Sequence, residues 1–194
     1  LSEGTDSVED GIHAIYDFLN YAYRPHIASY VVESNHDLML MRWLKEADYK
    51  SDPVNAEFFL RAQAEVYAAI RRGDKNFSVF EWAVRRLDEN LDVTFLRETD
   101  SLKIAGIECA LHGHKGANGA KGHINSFAKM GPKANVGHTH SAAIHEGIYQ
   151  AGTSSKLDLG YNSGGLSSWS NAHIVTYPNG KRTIVTMQGG KWRA

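Results

Sequence analysis

Ala134-Asn135-Val136-Gly137-His138-Thr139-His140 is the stretch that decides the reading of this chain. A short apolar run ends in glycine, and two imidazoles one residue apart follow it. Imidazole is a poor core group and a good ligand for transition metals. Two further clusters precede it, each after an apolar run: Ser34-Asn35-His36-Asp37 follows Ile27 to Val32, and His112-Gly113-His114 follows Leu102 to Leu111. Singly, each is ordinary turn chemistry. In sequence, and each at the end of an expected strand, the three point to a hydrolytic metal centre at the edge of an α/β sheet.

Working outward, the chain has 194 residues, of which 42% are hydrophobic, the size of one compact domain with a real core. The longest apolar stretches fall well short of the roughly 20 residues of a membrane helix, and no secretory signal heads the chain. The single cysteine, Cys109, excludes an intramolecular disulfide and fits a reducing, cytoplasmic compartment. On its strand it reads as a small hydrophobe.

The net charge of −1 hides an asymmetry: residues 1–100 hold 11 Lys/Arg and 19 Asp/Glu, a balance of −8, and residues 101–194 hold 10 and 3, a balance of +7. Seven of the ten histidines lie in the second part. A basic, histidine-rich C-terminal half suits a phosphate-bearing substrate.

Asp6-Ser7-Val8-Glu9 reads as a capping box, and Val8, Ile12, Ile15 and Leu19 recur at helical spacing, which predicts a helix from about Ser7 to Tyr23. Ile27 to Val32 has the make-up of a buried strand. Leu38 to Ala47, Pro53 to Arg72 and Phe77 to Asn90 read as three helices, the second with Asp52 as N-cap and Pro53 in its first turn. They form a helical insertion over about residues 38–90 within a single domain spanning 1–194. Val93 to Leu96, Leu102 to Leu111 and Ala134 to Val136 read as strands, and a short helix is expected around His123 to Met130. Alternation runs from Ile144 to Gln150, and Asn179-Gly180 marks a hairpin between Ala172 to Tyr177 and Thr183 to Gln188. His145 and His173 fall in alternating strand patterns and read as structural.

The glycine-rich run His112 to Gly122, with Lys115 and Lys121, is not a Walker loop, because its glycine spacing and its ending are wrong. It reads either as a phosphate contact, with His114, Lys115 and Lys121 reaching substrate, or as a flexible turn. Trp169, Trp192 and Tyr161 lie near basic residues and read either as base-stacking or as packing aromatics.

The order Ser-Asn-His-Asp, His-Gly-His, Gly-His-Thr-His resembles the calcineurin-like metallophosphoesterase family, whose signature includes Gly-Asn-His-Asp/Glu, a lone His and Gly-His-x-His. The resemblance covers the chain from about residue 25 onward. Ser34 stands where the family carries glycine, and Ser141-Ala142-Ala143 where many members carry a proline. It implies an α/β sandwich of mixed β-sheets flanked by helices.

It also implies that Asn35, His112 and His138 bind one ion and His140 a second, in a pair of divalent metals, Mn foremost, with Mg, Fe or Zn as alternatives. His36 would then act on the scissile phosphate, oriented by Asp37. The family's upstream motifs, Asp-x-His and Gly-Asp-x-x-Asp, have no convincing copy before residue 34. Asp6 with Glu9 has only a faintly similar spacing and reads as a helix cap. The resemblance therefore casts the chain as the C-terminal two-thirds of the fold, lacking an N-terminal segment as partner, with weak metal binding and hydrolysis to be expected from it alone.

The reaction implied is in-line attack of metal-bound hydroxide on a phosphoester. The helical block, the basic half and the Gly/Lys loop favour DNA, and the chain is similar to the DNA-repair-exonuclease-like, phage-encoded branch. A small-molecule or nucleotide phosphodiesterase or phosphatase, and a non-catalytic binding or assembly module retaining the fold, are the alternatives.

Overall fold

A computed structural model describes residues 7–160 and 162–193. The expected Asp6 contribution to a helix cap and the stacking role of Tyr161 lie outside the described residues. The chain is mixed α/β and divides into two compact units, residues 1–95 and 96–194.

The first unit is mainly helical. Helix α1 (Val8–Ala22) starts at Ser7, whose hydroxyl accepts the Asp10 N–H, and Glu9 and Asp10 complement the positive end of its dipole. The Glu9 carboxylate also pairs with Arg86, which holds its pKa below the ordinary carboxylate value. Strand β1 (Tyr30–Val32) leads into α2 (Asn35–Glu46), and β1 pairs with β2 (Thr94–Leu96). Helix α3 (Ala56–Arg72) starts three residues after Pro53, with Asn55 at its N-cap. Asn55 instead spends its side chain elsewhere, accepting from Val8 N–H at 2.7 Å and donating to Asp52. The expected Asp52-Pro53 start is thus displaced to Asn55. Gly73, at φ 73°, closes α3 in the left-handed conformation that favours glycine.

Helix α4 (Val79–Arg85) is shorter than the expected Phe77 to Asn90. Its Arg85 guanidinium turns onto the carbonyls of Leu91 and Val93, so the chain beyond it is held as a turn leading to β2. The core gathers Ile12, Leu44, Phe58, Phe59, Val79, Val84, Leu91 and Val93, one apolar face from each helix. Trp43 stacks edge-on against Phe59 at 4.8 Å. Each fully buried aromatic or aliphatic side chain contributes about 1.5–3 kcal/mol, which makes tertiary packing rather than helix propensity the main source of order.

The second unit carries two sheets. The first has the order β3-β4-β5-β7-β6: β3 (Lys103–Ile104), β4 (Ile107–Glu108), β5 (Ala134–Val136), β6 (Ala143–His145) and β7 (Ile148–Gln150). Strands β4, β5 and β7 run parallel, and β3 and β6 flank them antiparallel. The expected single strand Leu102 to Leu111 is a tight hairpin instead, because Ala105 and Gly106 both take positive φ and reverse the chain. Glu146 and Gly147 do the same between β6 and β7.

The second sheet, β10-β9-β8, comprises β8 (Ala172–Thr176), β9 (Arg182–Gln188) and β10 (Lys191–Arg193), all antiparallel. The Asn179-Gly180 turn falls where the sequence places it. Short helix α5 (Ile124–Ala128) buries Phe127 with Ala134, Val136 and Ile148. Among the described residues, no helix is long and apolar enough to cross a membrane.

Candidate metal centre

The parallel strands decide where the histidines go. Gly137 to His140 leave β5 directly, and His112 follows β4 by four residues, so both arrive at the carboxyl edge of the parallel β4-β5-β7 core. A Gly137 N–H to His112 C=O bond of 2.8 Å ties the two segments together. The imidazoles of His112, His114 and His138 consequently cluster, with ring centres 5.4, 5.2 and 6.0 Å apart.

Backbone geometry at this edge is unusual. His138 and His140 take φ of 74° and 63°, the left-handed region that L-residues other than glycine enter at a cost of about 1–2 kcal/mol. Gly137 and Thr139 alternate with them, and the Thr139 N–H bonds back to the Gly137 carbonyl at 3.0 Å. His140 meets Trp169 edge-on at 4.2 Å, while its carbonyl accepts from Ser170 N–H.

The glycine-rich loop is a packed turn. Gly116, Gly119, Ala120 and Gly122 all donate their N–H groups to loop carbonyls, and Lys115 bridges Lys121 in antiparallel fashion. A Cβ on Gly122 would overlap the Gly113 carbonyl, and one on Gly113 would lie 3.1 Å from the Gly137 carbonyl. The glycines therefore let the backbone of the His112-Gly113-His114 segment press against its neighbours. The amides expected for a phosphate cradle are used internally. Lys121 is exposed, and Lys115 pairs with Glu98 at 2.6 Å.

Glu98 is the residue that sequence reasoning missed. Its other oxygen lies 2.6 Å from His114 Nε2. Partial burial works against its charge, but Lys115 and His114 outweigh that and hold its pKa below the ordinary glutamate value. No spacing rule links Glu98 to His114; the contact comes only from folding.

Asn35, His36 and Asp37 belong to the first unit and occupy the first turn of α2. Ser34 accepts from the His36 and Asp37 N–H groups, and the Asp37 carboxylate accepts from Ser34 N–H at 2.7 Å, completing a capping box. Ser-x-x-Asp before Leu38-Met39-Leu40 carried that signal in the sequence. Burial raises the Asp37 pKa above the ordinary aspartate value, against the opposing Ser34 hydrogen bonds and the His36 charge. His36 itself is exposed.

The fit to a divalent ion is partial. Imidazoles bound at about 2.0–2.1 Å to one ion place their ring centres about 5 Å apart, close to the spacing of His112, His114 and His138. Among the described residues, however, no three His, Cys, Asp or Glu side chains already hold their donor atoms ready for an ion.

Elsewhere in this unit, buried Arg182 reaches from β9 to the carbonyls of Ala134 and Gly147 and to the Asn135 amide oxygen, at 2.6–3.0 Å, and lies over the Tyr149 ring. It fastens the three-stranded sheet to β5 and β7. Burial lowers its pKa from the ordinary value. Cys109, half-buried beside Asn135, has its thiol pKa raised by burial and behaves as a packing residue.

The chain is 44% identical to Protein A1 of Escherichia phage T5 over 194 residues, which cover 98% of this chain and 34% of that protein. It thus spans about a third of the length of that relative. No protein-family model matches the chain, and no solved structure matches it.

Proposed function

We propose that this chain is part of a metal-dependent phosphoesterase of the calcineurin-like type, acting on the phosphodiester bonds of DNA, with the second unit contributing the metal-binding histidines. One observation carries the reading: His112, His114 and His138 gather at the carboxyl edge of parallel strands, and His138 is held there in a costly left-handed conformation. A fold retains such strain where the position of a side chain matters more than local stability. The mixed α/β architecture accords with the calcineurin-like sandwich.

In this reading His112 and His138 hold a divalent cation, Mn foremost, and His140 serves a second. The ions supply charge neutralisation at the phosphoryl oxygens and an activated nucleophile. The chain's own groups do the rest. Glu98 keeps His114 and Lys115 together beside the cluster, one imidazole and one ammonium sharing a single carboxylate. Gly113, Gly122 and Gly137 hold the backbone close enough to keep the rings packed. Asn35, His36 and Asp37 belong to the helix cap of the first unit, and the reading rests on the histidines of the second unit by themselves.

The test is a Mn2+ titration followed by calorimetry, with turnover measured on linear DNA and on a generic aryl phosphodiester. The expected result is metal binding that is lost in His112→Ala and His138→Ala, with DNA turnover lost alongside it. Turnover confined to the aryl ester would favour a small-molecule phosphodiesterase. Metal binding unaffected by both histidine variants would overturn the proposed centre, and its absence together with absent turnover would leave a binding or assembly module.

A further inference from the structure

We infer that the outer face of the β8-β9-β10 sheet is a stacking platform for single-stranded nucleic acid. The register sets its composition. Arg182 and Thr176 point inward, where they bond to β5, so alternation along the strands sends His173, Val175, Thr183, Val185, Met187 and Trp192 outward. Tyr177, which closes the hairpin by its N–H bond to the Lys181 carbonyl, extends the same row.

An antiparallel sheet with one solvated face normally carries polar side chains there. This face instead exposes an indole, a phenol and an imidazole: Trp192 is 61% exposed, Tyr177 44% and Val175 39%, and His173 is exposed as well.

Charge selects the occupant. Residues 171–194 contain no Asp or Glu, and the exposed Lys181 stands opposite Tyr177 at one end of the aromatic row, whereas Lys191, in register with Gln188, belongs to the other face. A cation beside flat aromatic surfaces, on a segment without carboxylates, suits a phosphate backbone whose unpaired bases stack on the rings. From Trp192 to Tyr177 the face runs about 20 Å at roughly 3.3 Å per residue, in keeping with the shortest single-strand sites of about four nucleotides. Duplex DNA, whose bases are already stacked on each other, cannot use the rings.

The inference rests on the phosphodiester reading above for its biological sense but not for its test, because binding is read without turnover. Fluorescence anisotropy of a labelled 12-nucleotide single strand is measured with the full chain in EDTA, across a salt series, against the matching duplex. Single-strand binding should exceed duplex binding and weaken steeply with salt. Trp192→Ala and Tyr177→Ala should each weaken it about tenfold, and Trp192→Phe should retain most of it, which separates lost stacking from a disturbed β10. Lys181→Gln should lower the salt dependence.

Equal binding by wild type and the Trp192→Ala/Tyr177→Ala double variant, with unchanged circular dichroism, would overturn the proposal. So would preference for duplex, or sedimentation showing a dimer that the double variant abolishes. Hydrolysis without strand binding by this face, or strand binding without hydrolysis, tells the two proposals apart.

Discussion

Replacing His138 by glycine and, separately, by alanine isolates the strain at the candidate centre. Both variants lose the imidazole. Alanine keeps a Cβ at φ 74°, whereas glycine does not. Left-handed backbone costs an L-residue about 1–2 kcal/mol, and glycine returns about 0.4–1 kcal/mol of that through the greater freedom of its unfolded chain. The difference leaves His138→Gly about 1 kcal/mol more stable than His138→Ala. For a chain of this length that is a gap of about 2–4 °C in Tm. Thermal and urea unfolding followed by circular dichroism would measure it, and calorimetry with Mn2+ should find binding lost equally in both. An alanine variant as stable as the glycine one would show that the backbone at 138 carries no cost, and the case for a functionally retained strain would fail. The same pair at His140, φ 63°, should behave alike.

Other outcomes follow from the same geometry. Arg182→Met removes three hydrogen bonds from a buried guanidinium and strands two backbone carbonyls, and should cost about 3–5 kcal/mol in urea unfolding, with Arg182→Lys recovering less than half. Gly122→Ala should destabilise by about 1–3 kcal/mol and lower metal affinity, since its Cβ would displace the Gly113 carbonyl beside His112 and His114; a neutral result would show that the loop relaxes freely.

The Glu108 carboxylate accepts from the N–H groups of Leu102, Cys109 and Ala110 and from the Ser101 hydroxyl. Although burial opposes its charge, these bonds hold its pKa below the ordinary glutamate value. With a depressed folded pKa, its contribution is full above about pH 4.3, the unfolded value, and is lost as pH falls through the folded one. The urea midpoints of wild type and Glu108→Gln should therefore differ at pH 7 and converge as the pH falls through the depressed folded value; a gap independent of pH would refute this.

Much of the fold was legible from periodicity and turn chemistry. The first helix, the three-residue strand at Ala134, the helix after the glycine-rich run and the Asn179-Gly180 hairpin fall where spacing puts them. The errors share a cause. Leu102 to Leu111 reads as one apolar strand, but Ala105 takes a left-handed conformation that residue type does not announce. Ser34-x-x-Asp37 before an apolar run is, by contrast, a local signal, and the two residues bond to each other as that spacing allows.

By itself the sequence determined which side chains were available for chemistry, how the helices are spaced, and that glycines crowd the segments around His112 and His138. Those are properties of residue type and local period, which short-range sterics and hydrophobic burial read directly. Tertiary structure alone decided that three imidazoles meet at the edge of a parallel sheet, that Glu98 joins two of the basic groups beside them, and that Arg182 fastens one sheet to the other. Each of those contacts joins separate segments across hydrogen bonds of the sheet and turns, where no local pattern in the chain records the partner.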